Sequence, residues 1–312
     1  MLTLISRGNE TDEEVLALFT EEGYTIDYQK LAQSFLRRAL EKPNKNIDLM
    51  MGTKVKRITR EGDLYYIQTD KETIAAKVVA VTAGAHSLLF AKSLGYGKDY
   101  ALLSVAGSFY FAPGVLNGKV YTVQLKKLPF AAIHGDPEVH NQSQTRFGPT
   151  AKAIPMLERH NYGTIWSYFK TAGLSLDAFI SFFKILSEPV ILKYIVKNYI
   201  YDIPFIGKRL FIKEVKRIVP SIKLSELKFA QKYGGIRPQI VNLKTKSMEL
   251  GEAKILGENI LFNITPSPGA STCLQNAEDD TERIISFLGE EYRFDKNRFL
   301  QDLGMENRQI LI

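Results

Sequence analysis

An apolar, β-branched run from Ile74 to Thr82 stops abruptly at Ala83-Gly84 and enters a helix-like stretch in IAAKVVAVTAGAHS. A second unit of the same build comes near the end: ENILFNITPSPGASTCLQNAEDDTERIISFLG reads as a strand, a Pro/Gly loop and a helix to about Leu288. Strands buried on both faces are near-continuous apolar runs of this kind. Both units therefore suit a nucleotide-binding type of sheet, and the chain between them has to leave that sheet and return to it. The texture in between is different. From about Gly95 the segments SVAGSFYF, KVYTVQ, PFAAIH and TRFGP are aromatic and strand-like, which predicts a mostly antiparallel sheet.

The remaining elements follow local signals. Asp27 caps a helix to about Glu41, with Leu31, Phe35, Ala39 and Leu40 on one face and Pro43 beyond its end. A short strand is expected at Ile47–Met50, then alternating strands at Lys54–Arg60 and Leu64–Thr69. Trp166 to Arg217 is helical, apolar and basic, with interruptions near Pro189 and Pro204, and strand-like segments return at Lys228 to Gln239. The expected fold is α/β, α+β overall. A Rossmann-like domain (1–94) gives way to a mixed or antiparallel-sheet domain (95–254) with a helical insertion (166–217), and residues 255–312 return to the first domain.

Composition narrows the class. The chain has 312 residues, 45% of them apolar and 24% charged, enough for a proper core, and this excludes disorder, collagen and a disulfide-stapled miniprotein. One cysteine, Cys273, makes neither an internal disulfide nor a Cys-based zinc site, so a reducing, cytoplasmic setting is expected. The start MLTLISRGNETDEE lacks the basic-then-apolar order of a signal peptide. The uncharged runs Tyr100–Gly118 and Asn259–Ala277 are broken by Gly and Pro and do not read as spanning helices. The net charge of +7 is unevenly placed: between Lys184 and Arg217, eight Lys/Arg face only Glu188, Asp202 and Glu214. Bulky aliphatic residues interleave with these cations, which favours a membrane surface over nucleic acid. A buried helical subdomain with a basic rim is the competing reading.

No G-x-G-x-x-G, P-loop or H-E-x-x-H occurs in the sequence. His134-Gly135-Asp136-Pro137-Glu138-Val139-His140 offers ligand types, but Pro137 breaks helical spacing; no metal is expected, and His134 stands as a residue acting alone. The loop from Thr265 to Thr272 leads into a helix. Small residues there let backbone N–H groups approach an anion, and the helix dipole supports it. The negative pyrimidine edge of a reduced flavin would suit that position; a capped loop with nothing bound is the alternative. In Tyr233-Gly234-Gly235-Ile236-Arg237-Pro238-Gln239 the arginine offers a planar fork for a carboxylate, with two glycines giving access. A surface salt bridge is the plainer use of such an arginine.

The segments AGSFYF, GKVYTVQ, LPFAAIHGDPE, RFGPTA, GIRPQ and TPSPGASTCLQNA, in that order, resemble the malate:quinone oxidoreductases. These are FAD-dependent flavoproteins of the glutathione-reductase/D-amino-acid-oxidase type that pass electrons from malate to membrane quinone. The resemblance runs from about Tyr24 to Leu288. It lacks the family's opening βαβ unit, whose G-x-G-x-x-G holds the FAD pyrophosphate, and so implies a chain impaired in holding FAD and oxidising malate. It implies cofactor contacts at Val55, Ala83, Gly84, Gly269, Ala270 and Ser271. Arg237 becomes the clamp for a malate carboxylate, Arg146 the candidate for the second one, and His134 the base or a structural histidine. The implied partners are malate, membrane quinone and a membrane surface met by residues 166–217. The implied location is the inner face of the plasma membrane. A 2-hydroxyglutarate or amino-acid oxidase, and a non-catalytic remnant of such a flavoprotein, remain as alternatives.

Overall fold

The computed structural model describes residues 25–43, 46–123, 132–172, 175–249, 253–265 and 269–305. Helix α1 (Tyr28–Leu40) begins where the Asp27 carboxylate accepts from the backbone N–H groups of Gln29 and Lys30, at 3.0 and 3.1 Å. Two of the donors that a helix start leaves open are thereby satisfied. The expected strand at Ile47–Met50 is not formed; these residues are irregular and exposed.

Strands β1 (Val55–Glu61), β2 (Leu64–Thr69) and β3 (Thr73–Ala76) make an antiparallel meander. The run Ile74–Thr82, expected as one strand, is two: a bend at Lys77-Val78 separates β3 from β4 (Val79–Val81), which belongs to another sheet. Lys77 is the one charged residue in the run, and it marks the break. A turn from Ala83 leads into α2 (Ser87–Ser93).

SVAGSFYF also divides, into β5 (Tyr100–Ala106) and β6 (Tyr110–Pro113). After them come β7 (Val120–Tyr121), β8 (His134–Pro137), β9 (Gln144–Gly148) and β10 (Lys152–Ala153). Parts of the expected KVYTVQ and PFAAIH strands lie outside the described residues. The helical stretch resolves into α3 (Ile165–Ala172), α4 (Leu176–Leu186), α5 (Pro189–Ile200) and α6 (Ile206–Lys216). Pro189 is the first residue of α5, where its missing N–H costs nothing. Strands β11 (Lys228–Phe229), β12 (Ile236–Asn242), β13 (Ser247–Met248), β14 (Lys254–Gly257) and β15 (Ile260–Asn263) precede α7 (Cys273–Leu288) and α8 (Lys296–Asp302).

Two compact units result, one from Met1–Leu49 with Ala101–Met248 and the other from Met50–Tyr100 with Glu249–Ile312. The expected boundaries were 94/95 and 254/255, and residues 25–49, expected in the first domain, group with the middle of the chain. In the first unit, β10-β5-β12-β13 and β11-β6-β9-β8-β7 are separate sheets, and Gly107 to Phe109 carry the chain from one to the other. The four-stranded sheet sets Ala101, Leu103, Val105 and Val241 against Ile185 of α4 and Ile191 and Ile195 of α5. The five-stranded sheet sets Tyr110 and Phe147 against Phe211 and Val215 of α6, with the Tyr110 and Phe211 rings stacked at 4.5 Å. In the second unit, β15 runs antiparallel to β14 and parallel to β4, and Ile260, Leu261 and Phe262 are fully buried.

Candidate functional site

In the second unit, β4 and β15 are parallel and in register, Val79 to Val81 beside Ile260 to Phe262. Each is followed by a helix, α2 after Ala83-Gly84 and α7 after the turn at Gly269–Thr272. The carboxyl ends of neighbouring parallel strands are where open α/β sheets receive ligands. Gly84 takes a left-handed φ of +55° with nothing within 4 Å of the place a Cβ would occupy, so its backbone is open to approach. The Ala83 N–H donates to Ser87 Oγ at 2.9 Å, which ties down the turn. Ala83, Gly84, Ala270 and Ser271 are exposed and Gly269 half-exposed, while Pro266 to Pro268 lie outside the described residues. Val55 is elsewhere, at the start of β1 in the meander.

The first unit holds His134, Arg146 and Arg237. His134 is buried on β8, and its Nδ1 lies 3.1 Å from the Ala132 carbonyl. A carbonyl only accepts, so Nδ1 carries the hydrogen and Nε2 is the accepting nitrogen. Burial first, then the nearby Lys119 ammonium, pushes the imidazole down to about 4, against the opposing pull of the Ala132 carbonyl and of Asp136. The Tyr121 ring of β7 stands 4.9 Å from the imidazole.

Arg146 sits opposite Asp136 across β9 and β8. Its Nε donates to Asp136 Oδ1 at 3.1 Å and its Nη2 to Oδ2 at 2.5 Å, a bidentate pair around a nearly fully buried carboxylate. Its Nη1 donates to the Tyr233 hydroxyl at 3.0 Å, and the guanidinium lies 5.0 Å from the Phe109 ring centre. Tyr233 in turn meets Phe109 and Phe111 edge to face.

Arg237 is half-buried on β12, beside β5 in the four-stranded sheet. Burial lowers its guanidinium from the usual range, and the Tyr194 phenol of α5 acts in the opposite sense. The two glycines before it differ in role. Gly234 has φ +104° and seats its backbone so close to Gly107 that a Cβ would stand 2.3 Å from the Gly107 oxygen. Gly235 has open space where a side chain would be. Asp136 and Tyr233 were not singled out by the sequence. The available signal was the alternation that puts His134 and Asp136 on one face of a strand, with TRFGP as its neighbour.

The helices of residues 166–217 each bury one face. On α4, Ala178, Ser181 and Ile185 are buried, while Leu176, Phe179, Ile180 and Phe183 form an outward stripe at helical spacing, Phe179 and Phe183 being 68% and 66% exposed. Trp166 and Phe205 are more exposed still, at 77% and 81%. Lys170, Lys184, Lys193, Arg209 and Lys213 are exposed on the same group of helices. Among the described residues, no helix is long and apolar enough to cross a membrane.

A sequence model of the malate:quinone oxidoreductase (Mqo) family matches residues 1–286. A probable malate:quinone oxidoreductase of Helicobacter acinonychis (strain Sheeba) is 44% identical over 294 residues, covering 92% of this chain and 64% of that protein. The malate:quinone oxidoreductase of Helicobacter pylori (strain ATCC 700392 / 26695) is 43% identical with the same coverage, and a probable one from Campylobacter jejuni is 40% identical over 296 residues, covering 93% of this chain and 66% of that protein. The chain thus spans slightly less than two thirds of the length of the curated relatives it matches. Among solved structures, a glycine oxidase from Bacillus cereus ATCC 14579 aligns with a TM-score of 0.44 at 12% identity, covering 75% of this chain and 50% of that one.

Proposed function

The chain belongs to the malate:quinone oxidoreductase family, and from that premise we propose that it serves the FAD-dependent oxidation of (S)-malate to oxaloacetate, with electrons passed to membrane quinone. The observation that carries this reading is a buried imidazole, neutral at working pH, with its accepting nitrogen uncommitted by the Ala132 contact, in the same compact unit as the Gly-Gly-Ile-Arg strand.

Malate oxidation removes the hydroxyl proton and the C2 hydrogen. His134 Nε2 is the acceptor for the proton, a role worth roughly 10²–10⁴-fold in rate. Burial lowers its basicity in the free protein, and an anionic substrate alongside raises it again. Arg237 pairs with one carboxylate through its planar fork and fixes the orientation of C2. Arg146, the sequence's candidate for the second carboxylate, already directs Nε, Nη1 and Nη2 at Asp136 and Tyr233. Its bidentate edge is therefore taken. When bound, FAD supplies the two-electron acceptor, a chemistry that side chains lack. The residues that fit it are Ala83, Gly84, Gly269, Ala270 and Ser271, at turns that follow parallel strands; Val55, on another sheet of the unit, is the outlying member of that set. On this reading, the unit that holds Ala101–Met248 is the substrate domain, and the unit of Met50–Tyr100 with Glu249–Ile312 is part of the FAD domain.

Quinone lies in the bilayer, so the protein has to meet a membrane surface. The exposed stripe Leu176, Phe179, Ile180 and Phe183, together with exposed lysines on the same group of helices, supports peripheral docking, which would be on the inner face of the plasma membrane. The test is a panel of acids with a soluble dye as acceptor. It uses an FAD-saturated chimaera of this chain with the remaining sequence of the Helicobacter pylori relative. Malate should drive dye reduction, with 2-hydroxyglutarate and amino acids well behind. Faster turnover of either competitor would reassign the substrate.

A further inference from the structure

We propose that the Tyr233 hydroxyl is a hydrogen-bond donor to the diacid, serving the carboxylate that Arg237 does not, and that Arg146 and Asp136 are positioning residues that aim it. This rests on the malate reading above and deepens it.

Tyr233 is held at ring, hydroxyl and backbone. Its half-buried ring meets Phe109 and Phe111 edge to face, with centroids 5.5 and 5.3 Å away. Its hydroxyl oxygen accepts from Arg146 Nη1 at 3.0 Å. Its backbone is pinned by the next residue, because Gly234 takes φ +104° against the Gly107 carbonyl, where a Cβ has no room. Arg146 is fixed in turn. Its Nε and Nη2 donate to the two oxygens of Asp136, directly across the β8–β9 register, and that carboxylate is almost wholly buried. A carboxylate of the ligand could take this edge only by leaving Asp136 as an unpaired buried charge. Arg146 therefore reaches a ligand through the hydroxyl it holds.

The direction of the phenolic hydrogen follows from these bonds. A guanidinium only donates, so the Tyr233 oxygen is the acceptor toward Arg146 and its own hydrogen has to be directed elsewhere. Among the described residues, the bond from Arg146 is the only one at this hydroxyl. An O–H group backed by a cation suits an anionic oxygen, and each hydrogen bond in such a chain polarises the next. Sequence adds the second donor. Tyr233 and Arg237 stand at the two ends of Gly234-Gly235-Ile236, and Gly235 has open space where a side chain would be. One short segment thus carries two donors for a ligand with two carboxylates.

The experiment titrates malate, and then succinate, into the full chain labelled with 13Cζ-tyrosine. Succinate keeps both carboxylates and lacks the hydroxyl. Tyr233 is identified by its loss in Tyr233→Phe, which removes the hydroxyl and keeps the ring. Its resonance should move saturably with both diacids. By calorimetry, Tyr233→Phe should bind malate about tenfold or more weakly, as for a lost hydrogen bond to a charged acceptor. The pair Asp136→Asn/Arg146→Met removes both charges together, so no carboxylate is left buried alone. It should lose about threefold or more by itself, and stay within about twofold of Tyr233→Phe when combined with it, because it acts through that hydroxyl. Additive losses would make Arg146 a clamp in its own right and overturn the proposal. So would a Tyr233 resonance that stays put while malate binds, a loss below about threefold in Tyr233→Phe, or a wild type that binds neither diacid. The malate reading fails separately. A Tyr233 that answers to both diacids, with an FAD-saturated chimaera whose flavin malate leaves oxidised, would uphold the donor and refute the oxidation.

Discussion

His134 is where sequence and surroundings pull apart. A histidine in HGDPE can be noticed in the sequence, but the depression of its imidazole comes from burial and from Lys119, which lies fifteen positions away and reaches it only through pairing of β7 with β8. That depression has a consequence for stability. The unfolded ring takes its proton at about 6.5 and the folded one at about 4. Between those values the unfolded chain binds a proton that the folded one refuses. Stability is therefore full above about pH 6.5 and falls as pH drops toward 4, by up to about 3 kcal/mol. Urea midpoints of wild type and His134→Gln across this window measure the effect, and the glutamine variant should show a shallower loss. Identical slopes would mean the folded ring titrates normally. Arg237 drew notice in the sequence for the two glycines before it; that Gly234 serves close packing on Gly107 while only Gly235 has open space was not legible there. Nor was Arg146, because a guanidinium's partner across a sheet is a matter of register.

At the scale of elements, alternation and turn chemistry located the meander, α1 with its Asp27 cap, the helices of 166–217 and the strand–turn–helix at 260–288. Local pattern does not say which sheet a strand joins. Ile74–Thr82 and SVAGSFYF each read as one strand and each serve two sheets, because pairing with β15 and with β9 is decided far along the chain. Amphipathicity was equally incomplete for α4. The sequence showed an apolar helix, and only its packing shows that the small residues Ala178 and Ser181 face inward while the phenylalanines face outward. If that stripe enters a lipid surface, Phe179→Ser with Phe183→Ser should weaken binding to anionic vesicles by at least about tenfold, since burying each ring is worth roughly 1.5–3 kcal/mol. This part of the binding should resist salt. Neutralising Lys208, Arg209 and Lys213 should instead remove the salt-sensitive part, at about 1 kcal/mol per charge. Sedimentation with vesicles at two salt concentrations reads both. Binding that ignores the phenylalanines would move the docking face away from α4.

For the whole molecule, the sequence reads as two strand–turn–helix units on either side of an antiparallel middle; the second compact unit joins residues 50–100 with 249–312 around the β4–β15 pair. The grouping of residues 25–49 with the middle was not foreseen, because α1 carries no pattern naming its partner. The central claim is that this middle unit presents malate for oxidation, with Arg237 on a carboxylate and His134 on the hydroxyl. The most direct measurement is anaerobic mixing of malate with the FAD-saturated chimaera, following the flavin absorbance at increasing malate concentration. The account predicts bleaching that saturates with malate and that needs about tenfold more malate or greater in Arg237→Met, as expected for lost charged hydrogen bonds worth about 1.5–3 kcal/mol each. It also predicts bleaching that is slowed in His134→Gln at saturating malate. A flavin that stays oxidised with malate, or one bleached at the same concentrations and rates in both variants, would contradict it.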